Sequence, residues 1–131
     1  MNTLFRCVIA ASAVACLIAP ASASAQVQRQ FPQTALRGEM AFVNPPEVRL
    51  NGTPVVLAPG SRIRGQNNML EMSGALAGTK LWVHYTVDTQ GSVMDVWILR
   101  PDELAKRPWP RTPAEAQAWS FDPAAQAWSK P

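Results

Sequence analysis

Three side chains of the sequence have the types that a hydrolytic triad requires: a nucleophile, a general base and a carboxylate. They are Ser73, His84 and Asp95. The last two lie on the two strands of a predicted β-hairpin, and the register expected for it puts them on opposite faces of the sheet. A histidine cannot be oriented by a carboxylate that it cannot reach. We therefore predict no catalytic residues and no enzyme, and keep a small hydrolase only as an alternative.

The residues best suited to bind a metal are Met69, Met72 and His84, because thioether and imidazole ligands suit copper(I). Their spacing matches no copper motif, and methionine is also a common filler of hydrophobic cores. A structural zinc site is disfavoured, since the chain has one histidine and both cysteines, Cys7 and Cys16, lie in a segment predicted to be removed. We predict no metal and no cofactor, with a periplasmic copper(I)-binding carrier as an alternative.

The hairpin that would position these residues spans residues 80–99, KLWVHYTVDTQGSVMDVWIL. Two runs rich in β-branched and aromatic residues are joined by Asp88-Thr89-Gln90-Gly91, which predicts a three-residue loop of residues 89–91, closed by a glycine bulge. Asp88 then lies opposite Ser92. The cross-strand pairs that follow are Val87 with Val93, Tyr85 with Asp95, Val83 with Trp97, Leu81 with Leu99, Thr86 with Met94, His84 with Val96 and Trp82 with Ile98.

Both faces of this hairpin are largely apolar, so both need a cover. One face is assigned to the domain core and consists of Leu81, Val83, Val87, Val93, Trp97 and Leu99. The other face consists of Trp82, Met94, Val96 and Ile98. It needs a second cover, which could be the tail of the chain, another copy or a partner.

The tail, residues 107–131, is rich in proline and tryptophan. Thr112-Pro113-Ala114-Glu115 is a capping box, Asp122-Pro123 resembles a second helix start, and AQAWS occurs at residues 116–120 and again at 125–129. This pattern predicts two short helices that each present a tryptophan. Helices so short are marginal alone in water, so they must dock to be ordered.

Two interpretations of the tail stay open. It folds back over the apolar face of the hairpin, or its tryptophans anchor another envelope protein or a second copy. The possible interaction surface consists of Trp82, Met94, Ile98, Trp119 and Trp128.

Upstream of the hairpin the sequence predicts short strands at residues 38–43, 47–50, 53–57 and 61–64. Asn51-Gly52 is a strong two-residue turn signal, and Ala58-Pro59-Gly60 predicts a further turn. Short strands separated by frequent turns predict an all-β fold, a small OB-like barrel of about five or six strands with a short C-terminal helical tail. A two-sheet sandwich is the competing architecture. The barrel domain is assigned to residues 37–106, with a short helix at 101–106.

The first 25 residues resemble a secretory signal peptide: Arg6, an apolar run, and small residues up to Ala25, after which cleavage is predicted. The apolar run is too short to predict a membrane span, so no transmembrane segment is expected in the mature chain. Residues 26–36 are polar and predicted to be a disordered leader. Loss of Arg6 lowers the formal net charge from +3 to +2, too mild to indicate nucleic acid as a partner.

The runs RGEMAFVNPPEVRLNGTPVVLAPGSRIRGQNNML and SGALAGTKLWVHYTVDTQGSVMDVWILRPDE carry a resemblance. They resemble a group of uncharacterised exported proteobacterial proteins, and their order of strands, Asn-Gly turn and late hairpin is similar to small bacterial β-barrels of OB type. The resemblance covers residues 37–103 and implies a fold without an activity, because such barrels host many functions. The expected function is an exported, non-catalytic binding or assembly module of the cell envelope, periplasmic or secreted.

Overall fold

The structure is a computed structural model that describes residues 28–131. The predicted signal peptide, its cleavage after Ala25 and the first two residues of the predicted leader lie outside the described residues. Within the described part the chain is mostly β-structure, which confirms the all-β prediction at that level.

The described chain forms eight strands, one 3-10 helix and two short α-helices. The strands are β1 (Leu36–Asn44), β2 (Glu47–Leu50), β3 (Thr53–Arg64), β4 (Leu70–Glu71), β5 (Lys80–Val87), β6 (Val93–Ile98), β7 (Ser120–Asp122) and β8 (Ala127–Ser129). The 3-10 helix spans Ser73–Leu76, and the α-helices are α1 (Pro101–Leu104) and α2 (Pro113–Ala118). No helix of residues 28–131 is long and apolar enough to cross a membrane.

Six strands form one sheet in the order β2-β1-β5-β6-β3-β4, and β2 also pairs with β3. The pairing of β3 with β6 is parallel, whereas the other pairings in this sheet are antiparallel. The predicted turn between β2 and β3 is confirmed, because Asn51 and Gly52 have φ angles of 53° and 83°. The break predicted at residues 58–60 is wrong: β3 continues through it, with a shift of register against β6.

The loop of the β5–β6 hairpin has the predicted geometry, with the Asp88 N–H donating to the Ser92 carbonyl at 2.8 Å and Gly91 at φ 82°. Beyond the first pair, Val87 with Val93, the predicted register is wrong by one residue. Thr86 lies opposite Asp95, so Met94 is an extra residue in β6, a β-bulge. Because side chains alternate along a strand, this one residue exchanges the two faces of β6.

The exchange changes the composition of the core. Val96 and Ile98, predicted for the outer face, are buried in the main core beside Val83, whereas Trp97 and Leu99 belong to a second apolar cluster. Val87, predicted for the core, is exposed. The main core is completed by residues of β1, β2, β3 and the 3-10 helix, including Met40, Phe42, Val48, Leu57, Ile63 and Leu76.

The segment before β1 differs from the predicted disordered leader over residues 28–36. Arg29 is buried and pairs with Glu103 of α1, and it donates to the carbonyls of Gly65 at 2.9 Å and Ile98 at 2.7 Å. Phe31 and Ala35 are also buried, in the second cluster. The polar sequence of this segment did not predict that it is ordered, because the buried arginine is stabilised by partners far away in the chain.

The tail packs against the outer face of β5 and β6. Helix α2 begins as predicted, with the Thr112 hydroxyl accepting from the Glu115 N–H at 3.2 Å. The second predicted helix is wrong: β7 and β8 form an antiparallel hairpin, with Asp122 Oδ1 accepting from the Ala124 N–H in its turn. The two AQAWS copies therefore adopt different structures, the first ending α2 and the second forming a turn and β8.

Candidate binding groove

The second cluster is organised around the indole of Trp109. This residue is the middle of the linker, residues 108–110 between α1 and α2, and its ring lies between the sheet and the β7–β8 hairpin. Its ring stacks on His84 with centroids 4.0 Å apart and meets Phe31 edge to face at 5.8 Å. Its Nε1–H donates to the Ala35 carbonyl at 3.0 Å. The Pro110 carbonyl accepts from the Arg37 N–H at 2.9 Å, so the linker is fixed both to β1 and to the residue that precedes it.

Arg37 joins the sheet to the end of α1. Its guanidinium donates to the carbonyls of Glu103 at 2.9 Å and Lys106 at 2.9 Å, one in the last turn of α1 and one just beyond it. Burial, with the positive charges of Arg107 and Arg111, lowers the pKa of Arg37 to about 10, against the opposite effect of Glu103. Positive charges thus converge on this end of β1.

His84 is a buried neutral imidazole. Arg37 Nε donates to its Nε2 at 3.2 Å, so the ring proton lies on Nδ1, which has no partner among the described residues. Burial, then the charges of Arg37 and Arg29, lower the pKa of His84 to about 2. The neutral ring packs between Phe31 and Trp109, and no carboxylate of residues 28–131 is its hydrogen-bond partner.

A groove of about 550 Å³ lies between the outer face of β1 and β5 on one side and the tail on the other. Three tryptophans line it: Trp82 from β5, Trp109 from the linker and Trp119 from the end of α2. Trp109 is buried and forms the floor, whereas Trp82 and Trp119 are half-buried and present part of their rings to the groove. This volume lies within the range of about 300–1,000 Å³ that is typical of sites for small ligands.

Four cations also line the groove, and they come from separate segments. Arg37 is held by the sheet, Arg107 and Arg111 flank the linker, and Lys130 follows β8. Of the carboxylates in the described chain, Glu115 alone contributes to the lining. The polar character of the groove is therefore predominantly positive.

The three exposed cations have no acidic partner among residues 28–131. Two of them lie over indoles: the Arg111 guanidinium is 5.2 Å from the Trp82 ring centroid and the Lys130 ammonium is 5.3 Å from that of Trp119. Cation–π contacts of this kind orient a charge without neutralising it. The charges of Arg107, Arg111 and Lys130 remain available for a negatively charged ligand.

Of the five residues predicted as an interaction surface, the structure brings two into the groove, Trp82 and Trp119. Trp128 is buried below it, 6.1 Å from the centroid of Trp109. The prediction of an outward-facing Ile98 is wrong, because the bulge turns it into the main core. Met94 is partly buried at the bulge and does not line the groove.

The bulge also changes the geometry of the triad candidates. His84 and Asp95 lie on the same face, so the register argument against a triad is wrong. Asp95 instead accepts from the Thr86 hydroxyl at 3.2 Å, and His84 is bonded to Arg37. Ser73 begins the 3-10 helix and has no hydrogen bond to either residue.

The three residues of the copper alternative are not brought together. Met69 and Met72 are 66% and 81% exposed on the β4 segment, whereas His84 is 1% exposed beneath the tail. Among residues 28–131 no group of three or more histidine, cysteine, aspartate or glutamate side chains is placed to hold a metal ion.

Sequence reasoning missed the cations of the groove. The signal was present in Arg107-Pro108-Trp109-Pro110-Arg111, at the start of the tail, where two arginines flank a tryptophan between prolines. Prolines on both sides of the tryptophan disfavour a helix there, and the segment connects α1 with α2.

Comparison with models of protein families, with curated proteins and with solved structures gives no match for this chain.

Proposed function

We propose that the protein is an exported, non-catalytic binding module of the cell envelope that takes an anionic ligand into the groove between β5 and the tail. The observation that carries the proposal is the combination of three tryptophans with four cations and one carboxylate in a single groove. Such an arrangement gives a ligand both apolar contact and charge complementarity. Periplasmic or secreted location rests on the predicted signal peptide.

The framework of the module is proposed to be a closed, OB-like barrel. The pairings support it, because β1, β2, β3, β6 and β5 each have two partners in a ring that returns to β1. The parallel contact of β3 with β6 supports it further, since that step closes a ring whose other pairings are antiparallel. Barrel closure removes exposed edges and gives the groove a rigid wall.

The ordered tail favours a groove over a free docking tail. Trp128 is buried against Phe121 and Trp109, so it is not free to anchor a partner unless the tail detaches. Trp119 keeps one side against the second cluster and another toward the groove. The tail is thus a wall of the proposed site.

The experiment measures binding of two polyanions of unrelated backbone, polyphosphate and polyglutamate, by calorimetry and tryptophan emission. We expect salt-sensitive binding to both. The variant Arg111→Gln/Lys130→Gln should bind about tenfold more weakly at low ionic strength, the combined effect of two exposed ion pairs. Arg49→Gln/Arg62→Gln removes the same charge from exposed positions outside the groove and should bind as the parent does. Equal losses of affinity in the two variants would mean that binding depends only on net charge, and would refute the groove as the binding site.

A further inference from the structure

The groove alternates flat apolar surfaces with positive charges. Trp82 lies on the sheet and Trp119 on the tail, and each has a cation over part of its ring, Arg111 at Trp82 and Lys130 at Trp119, so that a ligand packed on the rest of the ring meets the charge at its edge. A well-matched ligand therefore carries flat apolar faces at intervals and negative charges at their edges. A compact anion such as phosphate would use the cations and leave both indoles without a function.

A sugar acid has this combination within one ring. The C–H groups on one face of a pyranose carry small positive charges that pack against the negative face of an indole. A carboxylate projects from the edge of the same ring, where a guanidinium can bind it with two parallel hydrogen bonds. We infer that the groove binds a short acidic glycan, with its rings on Trp82 and Trp119 and its carboxylates on Arg111 and Lys130. This inference rests on the proposed function, because it names the ligand class of the same groove.

Two features disfavour an acyl chain. The cations of the groove come from β1, from both ends of the linker and from the segment after β8, so charge is distributed and not gathered at one end as an acyl head group requires. Apart from Leu104 and Pro108, the apolar lining is aromatic. The neighbouring cleft on the other side of α2 has the aliphatic lining, with Leu36 and Val87, but no cation among its described lining residues.

An extended acidic peptide is also disfavoured. Peptides that add to a sheet need a free strand edge. The strand that carries Trp82, β5, is paired with β1 on one side and β6 on the other. The remaining competitor is a single-stranded nucleic acid, which also combines stacking rings with negative charges.

The test titrates the protein with trigalacturonic acid, and compares its methyl ester, the neutral sugar maltotriose, an oligothymidylate and laurate. We expect trigalacturonic acid to bind at least about tenfold more tightly than its ester or maltotriose. Trp119→Leu should lower this affinity about fivefold to tenfold, the contribution of an aromatic contact, and should lower polyphosphate affinity less, because polyphosphate uses the cations and does not stack on the indole. Lys130→Gln removes a charge at an exposed position together with its contact to the Trp119 ring, and Arg49→Gln removes a charge at an exposed position outside the groove as its control.

The outcomes separate the two proposals. Tighter binding of oligothymidylate or laurate, or glycan binding that is indifferent to both Trp119→Leu and Lys130→Gln, overturns the glycan assignment and leaves an anion-binding groove. If none of the anions binds, or if binding does not depend on the groove cations, both proposals fail. Preferential binding of the acidic glycan with losses in both groove variants, and none in Arg49→Gln, supports both.

Discussion

His84 is expected to make the fold sensitive to mild acid. In the folded chain its pKa is about 2, whereas an unfolded histidine has a pKa near 6.5. Below pH 6.5 the histidine is therefore protonated in the unfolded chain but stays neutral in the folded chain, and the free energy of unfolding falls as the pH falls. The change is about 1.4 kcal/mol per pH unit, so this residue alone removes about 2.5 kcal/mol between pH 7 and pH 4.5. Well above pH 6.5 the histidine is neutral in both states, and the free energy of unfolding no longer depends on its protonation.

The assay is urea unfolding over this pH range for the parent and for His84→Gln. Glutamine offers Arg37 an acceptor but does not titrate, so carboxylates that titrate in both proteins cancel in the difference. The variant should have a lower free energy of unfolding than the parent at pH 7, because it loses the stack on Trp109. The difference between the two free energies of unfolding should be about 2.5 kcal/mol smaller at pH 4.5. A constant difference would refute the reasoning. Because the chain has one histidine, its ring proton resonances provide an independent check and should not shift in the folded protein.

Three further predictions concern the packing of the tail and the leader. Glu103→Gln leaves the buried Arg29 charge without its partner and should lower the free energy of unfolding by about 3 kcal/mol in urea titrations. Its control is Asp102→Asn, at an exposed neighbouring position, which should change the free energy of unfolding by less than about 0.5 kcal/mol. Similar values for the two variants would contradict the buried pair. Gln126→Ala removes the acceptor of a buried backbone N–H and should cost about 2 kcal/mol in the same assay, and a neutral result would mean that water replaces it. A chain ending at Arg107 uncovers the outer face of β5 and β6, so its thermal midpoint should fall and it should bind a hydrophobic dye; unchanged stability would show that the tail is not a structural cover.

Local chemistry determined the elements that the sequence predicted well. Asn51-Gly52, the loop at residues 89–91 and the Thr112 cap depend on residues within one turn of each other, and all three occur as expected. Their side chains and φ angles need no distant partner. The strand Glu47–Leu50 was bounded by such turns and has the predicted limits.

Errors arose where tertiary contacts decide the structure. The bulge at Met94 has no local sequence signal, since methionine occurs in regular strands, yet it determines which face of β6 is buried. The second AQAWS copy follows the helix-start signal Asp122-Pro123, but its last three residues pair with β7, where Trp128 is buried against Phe121 and Trp109. Identical pentapeptides adopt different structures when their surroundings bury different sides.

The sequence predicted only part of the groove, for the same reason. Trp82 and Trp119 were predicted to belong to an interaction surface, but their placement in one groove depends on how the linker crosses the sheet. That crossing is set by Trp109 and by Arg37, whose hydrogen bonds join residues about 70 positions apart. Spacing along the chain carries no information about such contacts.

The electrostatics of the groove connect its proposed function with the stability of the fold. Bringing Arg107 and Arg111 near the buried Arg37 is unfavourable for the native state, since their charges help to lower its pKa. Glu103 opposes this effect, but the same carboxylate is already paired with Arg29. Local repulsion that the fold does not relieve is typical of binding sites, where the ligand supplies the missing charge. An anion bound beside Arg111 would remove part of that repulsion, so ligand binding and docking of the tail should stabilise each other.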